Sequence, residues 1–83
     1  MNNPKIYVGN LGFSVTNQTL TDAFAKYGTV ASAKVITDRE TNRSKGFGFV
    51  EMSSGSEAAN AISRLNGSEL EGRAMNVTEA RPK

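Results

Sequence analysis

Lys45-Gly46-Phe47-Gly48-Phe49-Val50-Glu51-Met52 alternates aromatic and small or aliphatic side chains in the manner of an extended strand. Successive side chains of a strand project to opposite sides. Lys45, Phe47, Phe49 and Glu51 therefore share one surface, and Gly46, Gly48, Val50 and Met52 share the other. The first surface is suited to stacking and the second to burial. Ile6-Tyr7-Val8-Gly9-Asn10-Leu11 follows the same logic, with Tyr7 on one side and Ile6 and Val8 on the opposite side. A chain of 83 residues is expected to form one domain over 1–83, with its core at about 4–81 and short tails. Such a chain buries only about 60 to 65% of its unfolded surface, so rings left in water need a reason.

The composition removes most catalytic chemistries. There is no cysteine, which excludes a disulfide scaffold and thiolate metal sites, and no histidine, the commonest catalytic base and metal ligand. No metal and no cofactor is expected. Met1-Asn2-Asn3-Pro4-Lys5 lacks the basic and apolar regions of a secretory signal, and nowhere do about 18 apolar residues run together. These features predict a soluble cytoplasmic protein with no membrane partner. Net charge is +2 and the pI is near 9.2, which suits a polyanionic partner only if the basic residues cluster.

The remaining pattern supplies the architecture. After the first strand and the turn-prone residues 12–16, Leu20, Ala23, Phe24 and Tyr27 recur at helical spacing, predicting a helix over 17–27. Thr16 is its expected N-cap, and Gly28 is expected to end it in the left-handed conformation. Val30, Ala33 and Val35 lie in a second extended run that ends at Asp38 in a polar hairpin loop, where Asn42 is the residue expected to tolerate positive φ. Ser54-Gly55-Ser56-Glu57 has capping-box spacing, and Ala58, Ala61, Ile62 and Leu65 form the apolar stripe of a second helix closed by Gly67. In Ala74-Met75-Asn76-Val77-Thr78, Met75 and Val77 point inward and Asn76 and Thr78 outward. The order βαββαβ specifies a ferredoxin-like α+β sandwich: four antiparallel strands with two helices on one face. Each helix is apolar on one side only, so the other sheet face stays open and holds Tyr7, Phe47 and Phe49. Phe13, Phe24 and Tyr27 are expected to be structural.

Over residues 4–81 the sequence resembles an RNA recognition motif. Lys45 to Met52 is similar to the octamer K/R-G-F/Y-G/A-F-V-x-F/Y, and Ile6 to Leu11 to the hexamer on the first strand. The resemblance implies that these two strands lie side by side. It also implies that Tyr7 and Phe49 each stack a base, that Phe47 packs on the intervening sugars, and that Lys45 pairs with phosphate. Lys5 and Lys34 share the open face by alternation. Arg39 and Arg43 in the hairpin loop, and Arg81 and Lys83 in the tail, are candidates for backbone contacts. Asn76, Thr78 and the main chain of residues 79–81 correspond to where the family usually reads base edges. Met52 stands where the octamer usually has an aromatic and is expected to fill the core; Asn42 replaces a frequent loop glycine. The chain, with no glycine-rich tail, looks like the small bacterial single-domain members.

The expected function is single-stranded RNA binding by a monomer, through stacking and phosphate contacts, with single-stranded DNA as a competitor. Two other classes weigh against it. A protein-interaction module is suggested by the low net charge and by Glu51, Glu69, Glu71 and Glu79. An acyl-phosphate hydrolase on the same fold is the other, but this sequence shows no arginine-bearing anion loop after the first strand, no histidine and no paired buried carboxylates, so no enzymatic activity is expected. Gly9-Asn10-Leu11-Gly12 matches the GxxG of KH domains but follows a strand, and the sequons at Asn17, Asn42, Asn66 and Asn76 have no secretory context.

Overall fold

Strand β1 (Lys5–Gly9) leads to helix α1 (Asn17–Ala25), then to β2 (Val30–Thr37) and β3 (Ser44–Met52). Helix α2 (Gly55–Leu65) follows, then two-residue strands β4 (Glu69–Leu70) and β5 (Arg73–Ala74), and finally β6 (Asn76–Ala80). The structure is a computed structural model and describes residues 4–41 and 43–80. Asn42, Arg81 and Lys83 lie outside the described residues, and with them the expectations placed there.

The main sheet has the order β2-β3-β1-β6 with every pairing antiparallel, so the two strands carrying rings occupy its centre. Both helices pack on one face. Leu20 and Phe24 of α1, and Ala58, Ala61 and Leu65 of α2, meet Ile6, Val8, Val35, Val50, Met52 and Val77 of the strands in one apolar cluster. Phe24 and Met52 are completely buried, so Met52 fills the core as its inward register requires. Burying a side chain of the Phe24 class stabilises the fold by about 1.5–3 kcal/mol.

Several local expectations are corrected. Helix α1 stops at Ala25, and a tight turn follows in which the Tyr27 N–H donates to the Phe24 carbonyl at 3.0 Å. Gly28 does not adopt a left-handed conformation. A Cβ at Gly28 would instead lie 2.6 Å from the Glu57 Cβ, so the residue is small because α2 crosses it. Gly67, by contrast, has φ +84 after the C-cap Asn66, as a helix-ending glycine should. The last strand starts at Asn76, and Ala74 belongs to the β4–β5 hairpin, which the chain pattern does not announce. Phe13 is 76% exposed and plays no part in the core. The register of β2 on β3 slips between Val30 and Ser32, a bulge that lets both Val30 and Ala33 turn inward despite their odd spacing.

Capping follows the sequence closely. The Thr16 hydroxyl accepts from the Thr19 N–H at 3.2 Å, and the Ser54 hydroxyl accepts from the Glu57 N–H at 3.2 Å. The Glu57 carboxylate reaches past the helix end and accepts from the Thr29 N–H at 3.1 Å and from the Ser53 and Ser54 hydroxyls. The Ser53 hydroxyl, the Thr29 N–H and the Ser54 hydroxyl hold its pKa below the ordinary 4.5, outweighing the opposite effect of desolvation.

Candidate nucleic-acid interface

Tyr7 pairs with Phe49 across the β1–β3 ladder, and Phe47 lies two residues before Phe49 on the same strand. Cross-strand partners point to the same side, so the three rings meet on the face that the helices leave uncovered. Ring centroids are 5.9 Å apart for Tyr7 and Phe47, 5.9 Å for Tyr7 and Phe49, and 6.1 Å for Phe47 and Phe49. Tyr7 and Phe47 lie 30° from parallel, whereas Phe49 stands edge-on to Phe47 at 87°. All three are half-buried, each flanked by its neighbours with a surface left to water.

Two glycines make this arrangement possible. A Cβ at Gly9 would come within 2.7 Å of the Tyr7 hydroxyl and 2.9 Å of its ring, so the tyrosine lies across a bare stretch of backbone. On the opposite face, a Cβ at Gly48 would be 2.5 Å from the Lys34 carbonyl and 3.2 Å from Leu20, so the strand carrying Phe47 and Phe49 fits against β2 and α1 only without a side chain there. Gly48 was legible as an inward position. The role of Gly9 was missed, although a glycine within a strand is the usual sign of a close approach.

The polar surroundings of the rings follow from register. Lys34 pairs with Phe49, and Thr78 with Tyr7, giving the row Lys34, Phe49, Tyr7 and Thr78 across the sheet. Lys5 pairs with Glu51 and Ala80 in the next row, and its Nζ lies 6.0 Å from the Phe49 centroid. Glu51, on the same face, accepts from the Ser32 hydroxyl at 2.8 Å and tempers the positive charge there. Asn76, opposite Gly9, is exposed, as is Thr78.

Lys45 is exposed, but Gly46 at φ +88 breaks the pleat between it and Phe47. The register moves from Val35–Gly48 to Thr37–Ser44, so four residues of β3 pass two of β2. Strict alternation therefore does not carry the position of Lys45 from the rings, as the sequence suggested. Arg39 and Arg43 are exposed in the loop beyond the same end of the sheet. The loop is closed by the Asp38 N–H donating to the Arg43 carbonyl at 2.8 Å and by the Glu40 N–H donating to the Asp38 carboxylate at 2.8 Å.

The ring face is a platform, not a pocket. A cleft of about 300 Å³ lies elsewhere, on the helix side between α1 and the β4–β5 hairpin, with Tyr27, Leu65, Leu70 and Met75 in its lining. Among the described residues, no group of carboxylates is arranged to hold a metal ion, and no helix is long and apolar enough to cross a membrane.

Comparison with known families places this face in context. The RNA recognition motif model matches residues 6–76, which take in both ring-bearing strands. The chain belongs to the RNA recognition motif family. It is 53% identical over 78 residues to protein RbpA of Nostoc sp., covering 94% of this chain and 76% of that one. It is also 52% identical over 81 residues to the 28 kDa chloroplastic ribonucleoprotein of Spinacia oleracea, of which it spans 35%. The crystal structure of RNA binding protein PG1 superposes with a TM-score of 0.90 at 51% identity, covering 96% of this chain and 99% of that one. The four-stranded sheet with two helices behind it is thus the RNA recognition motif's ferredoxin-like fold, and small bacterial members are among its relatives.

Proposed function

We propose that this RNA recognition motif binds single-stranded RNA on its open sheet face, with the whole chain working as one domain. Bases stack on Tyr7 and Phe49, and Phe47 packs against the sugars between them. The observation that carries the reading is the meeting of three half-exposed rings within about 6 Å on the uncovered face. A core that already has Phe24, Leu20 and Met52 does not need those rings, and flat apolar faces open to water are what bases stack on. The family's members that resemble this chain carry RNA-binding and ribonucleoprotein names, which supports the choice of ligand.

Lys5 and Lys34 flank the rings on the same face, Lys45 and the loop arginines lie at the sheet end, and Asn76 and Thr78 offer hydrogen bonds to base edges. Such a platform accommodates about two or three bases. Affinity from so few contacts is micromolar in order. Single-stranded DNA competes, since stacking does not involve the 2′-hydroxyl. Nothing in this mechanism requires turnover, and the reading is of a binding module in a cytoplasmic monomer. One amide on each outer edge strand favours the monomer: the Val35 N–H of β2 donates to the Asn17 side chain at 2.7 Å, and the Val77 N–H of β6 to the Asn66 side chain at 3.0 Å. Amides so occupied are closed to pairing with a second sheet.

The test is titration of the purified protein with labelled single-stranded RNA. With stacking at about 1–3 kcal/mol per base, combined Tyr7→Ala and Phe49→Ala should lower affinity about 30-fold or more while leaving the fold intact. Unchanged affinity in that variant would remove the mechanism.

A further inference from the structure

Phe13 is the one large hydrophobic side chain among the described residues that stands exposed, at 76%. The loop that projects it is pinned on both sides. Leu11 and Val15 are each 3% exposed, the Leu11 N–H donates to the Gly46 carbonyl at 2.8 Å, and the Val15 N–H donates to the Gly12 carbonyl at 3.2 Å. The Ser14 hydroxyl donates to the Glu71 carboxylate. A ring carried on a fixed loop is pre-organised to be touched, because little backbone freedom is lost when something lands on it.

Beside this loop lies a guanidinium with spare donors. Arg73 donates from Nη2 to the Asn10 Oδ1 at 2.8 Å, and Asn10 is fixed in turn by its own Nδ2 donating to the Ala74 carbonyl at 2.6 Å. Asn10 takes φ 60 to do so, a conformation that asparagine tolerates better than most residues. The partner of Arg73 is a neutral amide, and no carboxylate forms an ion pair with it among the described residues, so its charge is positioned but not neutralised. A Cβ on Gly12, next to Phe13, would sit 3.6 Å from the Arg73 Cδ, which places the arginine stem over that turn. Glu71, the acid in this cluster, hydrogen-bonds the neutral Ser14 hydroxyl and keeps its own charge, so the phosphate must sit on the Arg73 side of the loop.

The cluster is continuous with the platform. Asn10 directly follows Gly9, over which the Tyr7 ring lies, and the Gly46 carbonyl that holds Leu11 belongs to the residue before Phe47. We infer that Phe13 and Arg73, the latter held by Asn10, form a further nucleotide subsite at this end of the sheet. It takes one base on the Phe13 ring and one phosphate on the Arg73 guanidinium, beyond the bases held by Tyr7 and Phe49. The inference rests on the RNA-binding reading above and lengthens the strand that reading accommodates. An aromatic face and an arginine fork are the two groups that recognise a base and a phosphate irrespective of sequence.

Fluorescein-labelled RNA trimers and octamers, each as oligouridine and as an equimolar mixed sequence, test this by anisotropy. Phe13→Ala should leave trimer affinity within about twofold and lower octamer affinity about fivefold or more, the loss of one stacked base. Arg73→Ala should weaken octamer binding and reduce its log–log salt slope by about 0.7, one single-strand phosphate, with the trimer slope unchanged. Since Arg73 also holds the loop, its variant counts only with an unaltered amide NMR spectrum; Phe13, exposed and without a packing role, decides the matter by itself. If Phe13→Ala keeps the wild-type ratio of octamer to trimer affinity while Tyr7→Ala with Phe49→Ala loses both, the subsite is wrong and the platform stands. If the wild type binds neither length, both readings fall. A Phe13→Ala protein that binds RNA normally but loses a protein partner would make the ring a protein contact and overturn the subsite.

Discussion

Gly9 has no side chain where the Tyr7 ring crosses it, and this is a residue-scale condition for the platform. The atoms a Cβ would strike belong to the far end of a flexible side chain, and Gly9 is not in the left-handed region, so the backbone accepts alanine. Gly9→Ala should therefore fold with near wild-type stability but displace the ring, costing up to about one stack, ~1 kcal/mol of RNA affinity. Ring chemical shifts of Tyr7 and an RNA titration check both halves; a variant with unmoved ring signals and full affinity would show that the close approach is dispensable. At this scale, legibility divides by cause. Tyr7, Phe47 and Phe49 were readable because alternation is a property of a few consecutive residues. Gly28 has the spacing of a helix end, whereas it is small because Glu57 of the second helix lies on it. Phe13 has the sequence signature of a structural residue, yet the loop that carries it is held by Gly46, Glu71 and Arg73, which no local pattern brings near.

Elements are joined by side chains that serve backbone groups of another element. Glu57 at the start of α2 is the clearest case, since it completes its own cap with Ser54 and also holds the Thr29 N–H before β2. Its pKa is lowered in the folded protein by the Ser53 hydroxyl, the Thr29 N–H and the Ser54 hydroxyl, in that order, against desolvation. A carboxylate bound more tightly when ionised contributes stability above its unfolded pKa and loses that contribution as pH falls through the folded value. The stability difference between wild type and Glu57→Gln should accordingly be constant near neutrality and shrink below about pH 4.5, as read from urea unfolding at pH 7 and pH 3. A difference that does not change with pH would mean that the ionised form has no preferred role. Helices α1 and α2 were both legible because their stripes and caps are local. The β4–β5 hairpin was not, since strands of two residues are too short to show a period. The bulge at Gly46 was also hidden, because it arises from the register of β3 against β2.

Across the whole molecule, one face of the sheet takes the helices and the core, and the other carries the rings, Lys5 and Lys34. On the proposed function, a net charge of +2 with Glu51 on the same face predicts weak long-range attraction of RNA and phosphate contacts that act locally. Three or four such contacts on a single strand predict a slope of log affinity against log salt of about −2 to −3. A measured slope near zero would remove the lysines and arginines from the interface and leave stacking alone.

The sequence by itself determined the order of the main elements, the inward and outward faces of their residues away from the two irregularities of β2 on β3, the exposure of three rings and the family. These depend on periodicity and short motifs, which are set within about ten residues. Only the tertiary structure decided how the rings are seated, which glycines that seating requires, and which asparagines accept from an amide of each edge strand. It also decided that Arg73 meets Asn10, 63 residues away, and that Glu57 meets Thr29, 28 residues away. Such contacts depend on how distant segments approach when the core packs, and a pattern along the chain does not encode the distance between them.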